Sequence, residues 1–257
     1  MEWDTIFGHH SILHALKNRV NVENAKLHCT QKGLEILSKD IPKDLLKKIT
    51  LVNYEQVHDF HQWCAKHWLE NKWSYNKITS QSVLLIPSKI VHSPDFLWEK
   101  MGASKLPRMI MLDGITDIHN AGAILRTSAF YNVSFVIMSV KGPFGLTPGL
   151  FHCASGGIEY LELIKTPSMP NLIQKLVSKD VLCVGLSQHA PSFQEEPVKV
   201  PGDAKGICLV LGEEQNGISH ANLRVLPIVR SLKNSSDFKG LNVSVAAAIA
   251  MENFFNT

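Results

Sequence analysis

The chain has 257 residues, of which 45% are hydrophobic, and a net charge of +3 from 26 basic and 23 acidic residues. These values are normal for a packed soluble protein of one large domain or two smaller ones. They exclude a membrane-spanning chain, because no apolar run approaches the ~20 residues that cross a bilayer, and the small charge neither requires nor opposes a nucleic-acid partner.

Targeting and disulfide signals are weak. The chain begins Met1-Glu2-Trp3-Asp4, which is acidic where a signal or transit peptide is basic. The cysteines are odd in number and lie far apart in the sequence, which does not fit a framework of paired disulfides. We therefore expect free thiols in a reducing compartment for Cys29, Cys64, Cys153, Cys183 and Cys208.

The N-terminal third predicts short, alternating helices and strands. Apolar spacing favours helices over residues 11–16 and 34–37, and a run ending at Pro87 is typical of a buried strand over residues 83–86. A third helix is predicted from the shared face of Val57, Phe60, Cys64 and Trp68. We expect a small α/β domain over residues 1–94, followed by a linker over residues 95–106.

The remainder, residues 107–257, has a more regular pattern. Helical patterns over residues 121–129 and 172–177 alternate with apolar runs. Near-continuous apolar strands between helices predict a parallel sheet covered on both faces, whose ligands lie beyond the carboxyl ends of the strands. The predicted strands cover residues 109–112, 135–140, 181–186, 207–211 and 225–229.

Two polar turns follow predicted strands. In the first, Asn120 is a candidate helix cap and Arg126 lies within two turns of the same helix start, where its guanidinium is suited to phosphate. In the second, Gly212 and Gly217 bracket Glu214, which is suited to a ribose, a cation or a reacting group. An ordinary cap with a surface arginine, and a solvated acidic turn, are the alternatives.

A third polar turn opens the last helix, which is rich in alanine. Asn242 and Ser244 stand at its first turn, where such side chains cap helices more often than they catalyse. The chain contains neither G-x-G-x-x-G nor a Walker loop, which disfavours nicotinamide and nucleoside triphosphate enzymes.

Together, the three turns resemble the three ordered motifs of the SpoU (TrmH-type) family of RNA ribose methyltransferases in the SPOUT superfamily. The resemblance covers residues 107–257, and the first residues, Phe7 to Leu16, are similar to the ribosomal protein L30e-like RNA-binding domain of many members. It implies an α/β fold with a deep C-terminal trefoil knot, preceded by a small L30e-like domain. The knot would be an exception to the rule that chains do not thread loops.

The resemblance also implies a site. S-adenosyl-L-methionine is the expected methyl donor, S-adenosyl-L-homocysteine the product, and no metal is expected. The expected catalytic residues are Asn120, Arg126, Glu214, Asn242 and Ser244. The expected contacts with the donor are Leu186, Gly212, Ile228, Leu241 and Val243.

The function implied by the resemblance is 2'-O-methylation of a ribose, on a guanosine of large-subunit rRNA. The chain is most similar to mitochondrial members, so a mitochondrial location and a homodimer that binds rRNA are expected. A tRNA ribose methyltransferase and a catalytically silent RNA-binding ribosome-assembly protein are the alternatives. Arg126 acts either as a base or as a clamp on phosphate or an oxyanion, and we favour the clamp because arginine stays protonated in proteins.

Residues 61–68 contain residue types that also occur in zinc sites and in RNA-binding surfaces. They offer a single Cys and His pair, too few ligands for structural zinc. Trp63, Trp68 and Trp73 are spaced at intervals of five residues, which do not keep one helical face, so we expect some of them in the core rather than stacked on RNA bases.

Overall fold

The computed structural model describes residues 2–74, 78–102, 106–140, 145–192, 195–196, 198–233 and 240–255. It separates into two compact units. The first comprises Met1–Lys89 and Leu146–Glu159, and the second comprises Ile90–Gly145 and Tyr160–Thr257. The division differs from the expected one in two respects, because it falls before residue 94 and because residues 146–159 pack with the N-terminal unit.

The strands, in chain order, are β1 (Trp3–Phe7), β2 (Lys26–Thr30), β3 (Thr50–Tyr54), β4 (Ser82–Pro87), β5 (Val91–His92), β6 (Arg108–Asp113), β7 (Phe135–Ser139), β8 (Glu162–Thr166), β9 (Val181–Leu186), β10 (Gly206–Gly212) and β11 (Ile228–Arg230). The helices are α1 (His9–Asn18), α2 (Gln31–Leu37), α3 (Lys43–Leu46), α4 (Val57–Glu70), α5 (Pro94–Met101), α6 (Ile118–Phe130), α7 (Pro148–Ala154), α8 (Met169–Val177), α9 (His220–Leu223) and α10 (Val243–Phe255).

The first unit is built on a four-stranded mixed sheet in the order β1-β4-β2-β3, in which β2 and β3 are parallel and β4 is antiparallel to both neighbours. Helix α4 buries Phe60, Cys64 and Trp68 as predicted, whereas Val57 at its start is exposed. Trp63 and Trp73 pack against the same cluster. Trp68 therefore belongs to the core of this unit and the other two lie partly buried against it, which confirms the expectation that some of the three are core residues.

A buried ion triad holds residues 146–159 in the first unit. Arg19 donates to Asp4 at 2.7 Å and to Glu159 at 2.8 Å, and the three side chains are between 1% and 7% exposed. The guanidinium also lies 5.3 Å from the ring centre of Phe151 on α7. Because buried charges are stable only when paired, these contacts fix the segment that carries Glu159 against α1 and β1.

The second unit contains a seven-stranded parallel sheet in the order β11-β9-β10-β6-β7-β8-β5, which confirms the predicted α/β class. Helix α8 packs on β9, and α10 packs on β10 and α6. The predicted strand over residues 225–229 instead begins at Ile228, because α9 and the turn after it occupy residues 220–227.

The expected linker over residues 95–106 contains structure. Pro94 opens α5, whose Leu97 is fully buried in the core of the second unit, next to residues of β6 and β8. Proline is suited to this first helical position because the N–H it lacks has no partner there in any case. The Pro94 that suggested a boundary is therefore a helix start.

All five cysteines are free thiols, as expected. Burial raises the pKa of the Cys29 thiol to about 11 and that of Cys64 to about 12. Among the described residues, no helix is both long and apolar enough to span a bilayer.

Candidate functional site

The polar turns of the second unit follow neighbouring strands at one edge of the parallel sheet. Strand β10 lies between β9 and β6, with Leu211 paired to Leu186 and Gly212 paired to Asp113. On the other side of β9, Leu186 pairs with Arg230 of β11. The carboxyl ends of four strands therefore meet here, the position where parallel sheets bind ligands.

The turn after β10 is tightly closed. The N–H of Glu213 donates to the carbonyl of Gly217 at 3.0 Å, and the N–H of Gly217 donates back at 2.8 Å. A Cβ on Gly212 would lie 2.1 Å from the carbonyl carbon of Gly217, so a side chain at position 212 does not fit. Beyond the turn, the N–H of Ser219 donates to Asp113 Oδ2 at 2.7 Å, which ties the turn to the end of β6.

Helix α6 carries the residues of the first motif. Its cap is Asp117, which accepts a hydrogen bond from the N–H of His119 at 2.7 Å, so the prediction that Asn120 caps this helix is wrong. Asn120 lies inside the first turn, and its Nδ2 donates to Glu214 Oε1. Because Asp117 caps the helix, the side chain of Asn120 can bond to Glu214, and this hydrogen bond joins the first motif to the second.

Helix α10 carries the third motif, and Asn242 caps it as predicted. Asn242 Oδ1 accepts from the N–H of Ser244 at 2.8 Å and from Ser244 Oγ at 2.6 Å. Asn242 Nδ2 donates to Asn120 Oδ1 at 2.8 Å. Hydrogen bonds thus run without a break from Ser244 through Asn242 and Asn120 to Glu214, and we call these four residues the polar chain.

Arg126 stands apart from the polar chain. Six residues separate it from Asn120, which corresponds to about 9 Å along the helix axis and about 120° around it. Its side chain is exposed and makes no hydrogen bond or ion pair with the residues that the structure describes. The structure therefore brings together four of the five expected catalytic residues, and Arg126 is not among them.

The expected donor contacts divide into two groups. Leu186 and Gly212 end β9 and β10 at the site edge, whereas Ile228 begins β11 and pairs with Val184, two residues before Leu186. Leu241 and Val243 flank Asn242 at the start of α10, and Leu241 is 53% exposed.

Two residues of the site were not singled out from the sequence. Asp113 holds the turn after β10 through Ser219, and Asp117 caps α6. The available signal was an acidic residue directly after a predicted strand and another just before a helical pattern. Within the described ranges, no group of three His, Cys, Asp or Glu side chains is arranged to hold a metal ion.

Comparisons with known proteins identify the family of the chain. The chain is 29% identical over 165 residues to the 23S rRNA (guanosine-2'-O-)-methyltransferase RlmB of Shewanella oneidensis, an alignment that covers 64% of the chain and 65% of that relative. The chain thus spans somewhat less than two thirds of the length of this curated relative.

Two solved structures have similar folds. A putative RNA methyltransferase of the TrmH family from Porphyromonas gingivalis has a TM-score of 0.69 at 18% identity, covering 99% of this chain and 90% of that one. The SpoU methyltransferase AviRb from Streptomyces viridochromogenes, in complex with the cofactor AdoMet, has a TM-score of 0.70 at 14% identity, covering 98% and 88%. The profile of the SpoU rRNA Methylase family matches residues 107–252, and the chain belongs to this family.

Proposed function

We propose that the protein is an S-adenosyl-L-methionine-dependent methyltransferase that modifies the 2'-hydroxyl of a ribose in RNA, on a guanosine of large-subunit rRNA. The observation that carries the proposal is the polar chain, which joins all three family motifs beside the carboxyl ends of β9 and β10. A capping role alone explains Asn242 and Ser244, but not the contacts of Asn120 and Glu214. The RNA class is supported by the names of the curated relatives.

The residues at the strand ends fit a methyl donor. Gly212 is buried at the end of β10, and the backbone of Gly217 leaves no room for a side chain there, so position 212 can offer a ligand only main-chain groups. Leu186, Ile228 and Leu241 supply apolar side chains that are only partly buried, a suitable lining for an adenine or a thioether. When bound, the donor supplies a methyl group on a sulfonium.

Methyl transfer requires that the ribose hydroxyl is held in place and that the charge of the adjoining phosphate is neutralised. Transfer would join the ribose oxygen to the methyl carbon, leave the electron pair of the broken carbon–sulfur bond on sulfur, and release the hydroxyl proton to solvent. Positioning contributes much of the acceleration because it converts an encounter into a directed attack. The proposal assigns the polar chain to hold the hydroxyl and Arg126 to clamp the adjoining phosphate through its planar fork.

Several features of the assembly are part of the proposal. We assign RNA binding to the first unit as an L30e-like domain, supported by its mixed sheet and the resemblance of residues 7–16. We also propose a C-terminal trefoil knot and a mitochondrial location, which the family resemblance supports. A homodimer is supported by exposed apolar side chains on two packed helices of the second unit, Phe130 on α6 and Val245 and Ile249 on α10, which are 83%, 46% and 42% exposed.

The test maps ribose methylation. In vitro transcripts of mitochondrial and cytoplasmic large-subunit rRNA and of tRNA are incubated with the protein and S-adenosyl-L-methionine, then digested to nucleosides. A single 2'-O-methylguanosine in one large-subunit transcript is the expected product. Methylation of tRNA alone would reassign the substrate. Binding of S-adenosylhomocysteine without methylation of any transcript would contradict the assigned substrates, and absence of both would indicate a silent RNA-binding protein.

A further inference from the structure

The groups at the two ends of the polar chain determine which atom donates and which accepts in each of its hydrogen bonds. At one end stands the carboxylate of Glu214, which when ionised accepts hydrogen bonds and cannot donate them. Asn120 must therefore present Nδ2 to Glu214, which turns Asn120 Oδ1 toward Asn242. An oxygen in that position requires a donor, and Asn242 Nδ2 supplies it at 2.8 Å.

The opposite end imposes the same direction independently. The backbone N–H of Ser244 is a donor only, and it lies 2.8 Å from the side chain of Asn242. Asn242 must therefore present Oδ1 to Ser244, which again turns Nδ2 toward Asn120. Because amide orientations follow from their partners, a donor fixed at one end and an acceptor fixed at the other leave a single arrangement for both amides.

The direction determines what Ser244 offers to a ligand. Its Oγ lies 2.6 Å from Asn242 Oδ1, an acceptor, so the hydroxyl hydrogen of Ser244 is used within the polar chain. The oxygen retains lone pairs for a further partner. A phosphate oxygen is an acceptor and does not match this arrangement, whereas a ribose hydroxyl, which is a donor, does.

We propose that the polar chain makes Ser244 an acceptor that binds the 2'-hydroxyl of the target nucleotide, with Asn120 and Glu214 as positioning residues that act through Asn242. This assignment rests on the proposed function. A hydroxyl that donates its hydrogen to Ser244 keeps a lone pair on its own oxygen for attack on the methyl carbon, and its proton passes to solvent as the carbon–oxygen bond forms and the carbon–sulfur bond breaks. The polar chain thus selects the sugar hydroxyl over the neighbouring phosphate and leaves phosphate binding to other donors.

The first arm of the test uses the protein alone. Asn120→Asp places a second carboxylate against Glu214, and adding Glu214→Gln supplies an amide that donates to the new carboxylate. We expect Asn120→Asp to lower the urea midpoint at pH 8, and the double variant to regain part of the loss. Asn216→Asp is the control, because Asn216 lies in the same turn but donates to Glu213 instead.

Rescue by Glu214→Gln in the Asn120→Asp background but not in the Asn216→Asp background supports the direction of the polar chain. Equal effects in the two backgrounds would overturn it. This arm needs no RNA and no donor, so its outcome is independent of the proposed function.

The second arm tests the ligand of Ser244. An RNA fragment that carries the mapped nucleotide is compared with its 2'-deoxy form for binding to the wild type and to Ser244→Ala. Loss of one neutral hydrogen bond corresponds to about a fivefold weaker Kd. We expect the 2'-deoxy form to bind the wild type with a Kd weakened by this factor. We expect Ser244→Ala to bind the two forms of the RNA equally. A methylphosphonate in place of the adjoining phosphate is expected to weaken RNA binding by the same factor in both proteins.

The reverse pattern, in which Ser244→Ala abolishes the phosphate effect and leaves the 2'-deoxy effect intact, would overturn the assignment. Equal 2'-deoxy losses in both proteins would do the same and would indicate that Ser244 accepts from another donor, such as Arg126. Calorimetry with S-adenosylhomocysteine on the wild type reports separately on the proposed function.

Discussion

A hydrogen bond of 2.8 Å joins Asn242 to Asn120, two residues that are 122 positions apart in the chain. It connects the first turn of α10 to the first turn of α6, and through Asn120 it reaches Glu214 in the turn after β10. A helix cap requires only the Oδ1 of Asn242, so the use of Nδ2 is what distinguishes a site from a cap.

Gly212→Ala tests the donor position directly. The added Cβ would lie 2.1 Å from the backbone of Gly217, so the turn that carries Glu214 must shift. Overpacking of this kind costs about 1–3 kcal/mol, and we expect S-adenosylhomocysteine binding to weaken at least tenfold in calorimetry. Gly202→Ala is the matched control, because a Cβ there meets nothing within 4 Å. Equal affinities in the two variants would contradict the assignment of Gly212.

The sequence predicted much of the second unit, and the reason is physical. Strands buried on both faces are continuous apolar runs, as in β10, and these are easy to recognise. Strand β8 has the sequence Glu-Leu-Ile-Lys-Thr and β2 has Lys-Leu-His-Cys-Thr. Their charged residues interrupt the apolar run, so neither strand was predicted.

Other features depend on contacts that sequence spacing does not reveal. Both Asp117 and Asn120 are good capping residues, and the cap is decided by which side chain reaches the N–H of His119. The packing of residues 146–159 with the N-terminal unit depends on the pairing of Arg19 with Glu159, which lie 140 positions apart.

The ion triad of the first unit predicts a large effect of Arg19→Met. Removing the guanidinium leaves Asp4 and Glu159 buried without their partner, which costs about 3–5 kcal/mol of the free energy of unfolding. Chemical denaturation measures the loss. Lys66→Met is the control, because Lys66 and Glu70 form an exposed pair at 3.9 Å, and we expect a change below about 0.5 kcal/mol. A loss of similar size in both variants would refute the structural role of the triad.

His28 predicts a pH dependence of stability. Its ring stacks on Trp63 at 3.8 Å, and burial, with the charges of His67 and Lys26, lowers its pKa from 6.5 to about 4. The unfolded chain therefore binds the proton more tightly. The contribution to stability is complete above pH 6.5 and declines as the pH falls toward 4, by up to about 3 kcal/mol.

Urea unfolding of the wild type and of His28→Gln across pH 4 to 7 measures this effect. We expect a shallower dependence on pH in His28→Gln, because the titrating group is gone. Parallel curves for the two proteins would show that His28 does not carry the effect.

The apolar surface of the second unit predicts a dimer. Ile249→Glu places a charge on the face of α10 that also carries Val245 one turn earlier, and we expect sedimentation velocity to report a monomer where the wild type is a dimer. Leu69→Glu is the control, since Leu69 is 78% exposed on α4 of the other unit and should leave the dimer intact. A monomeric wild type at micromolar concentration would contradict the homodimer.

The central claim is that this site transfers methyl groups to RNA, and Arg126→Ala tests it most directly. Incorporation of labelled methyl from S-adenosyl-L-methionine into transcribed large-subunit rRNA is measured together with calorimetric binding of S-adenosylhomocysteine. Because Arg126 is exposed and has no partner among the described residues, its loss should leave the fold and donor binding unchanged. We expect methyl incorporation to fall at least a hundredfold with unchanged affinity for S-adenosylhomocysteine. Incorporation at the wild-type rate would contradict the account.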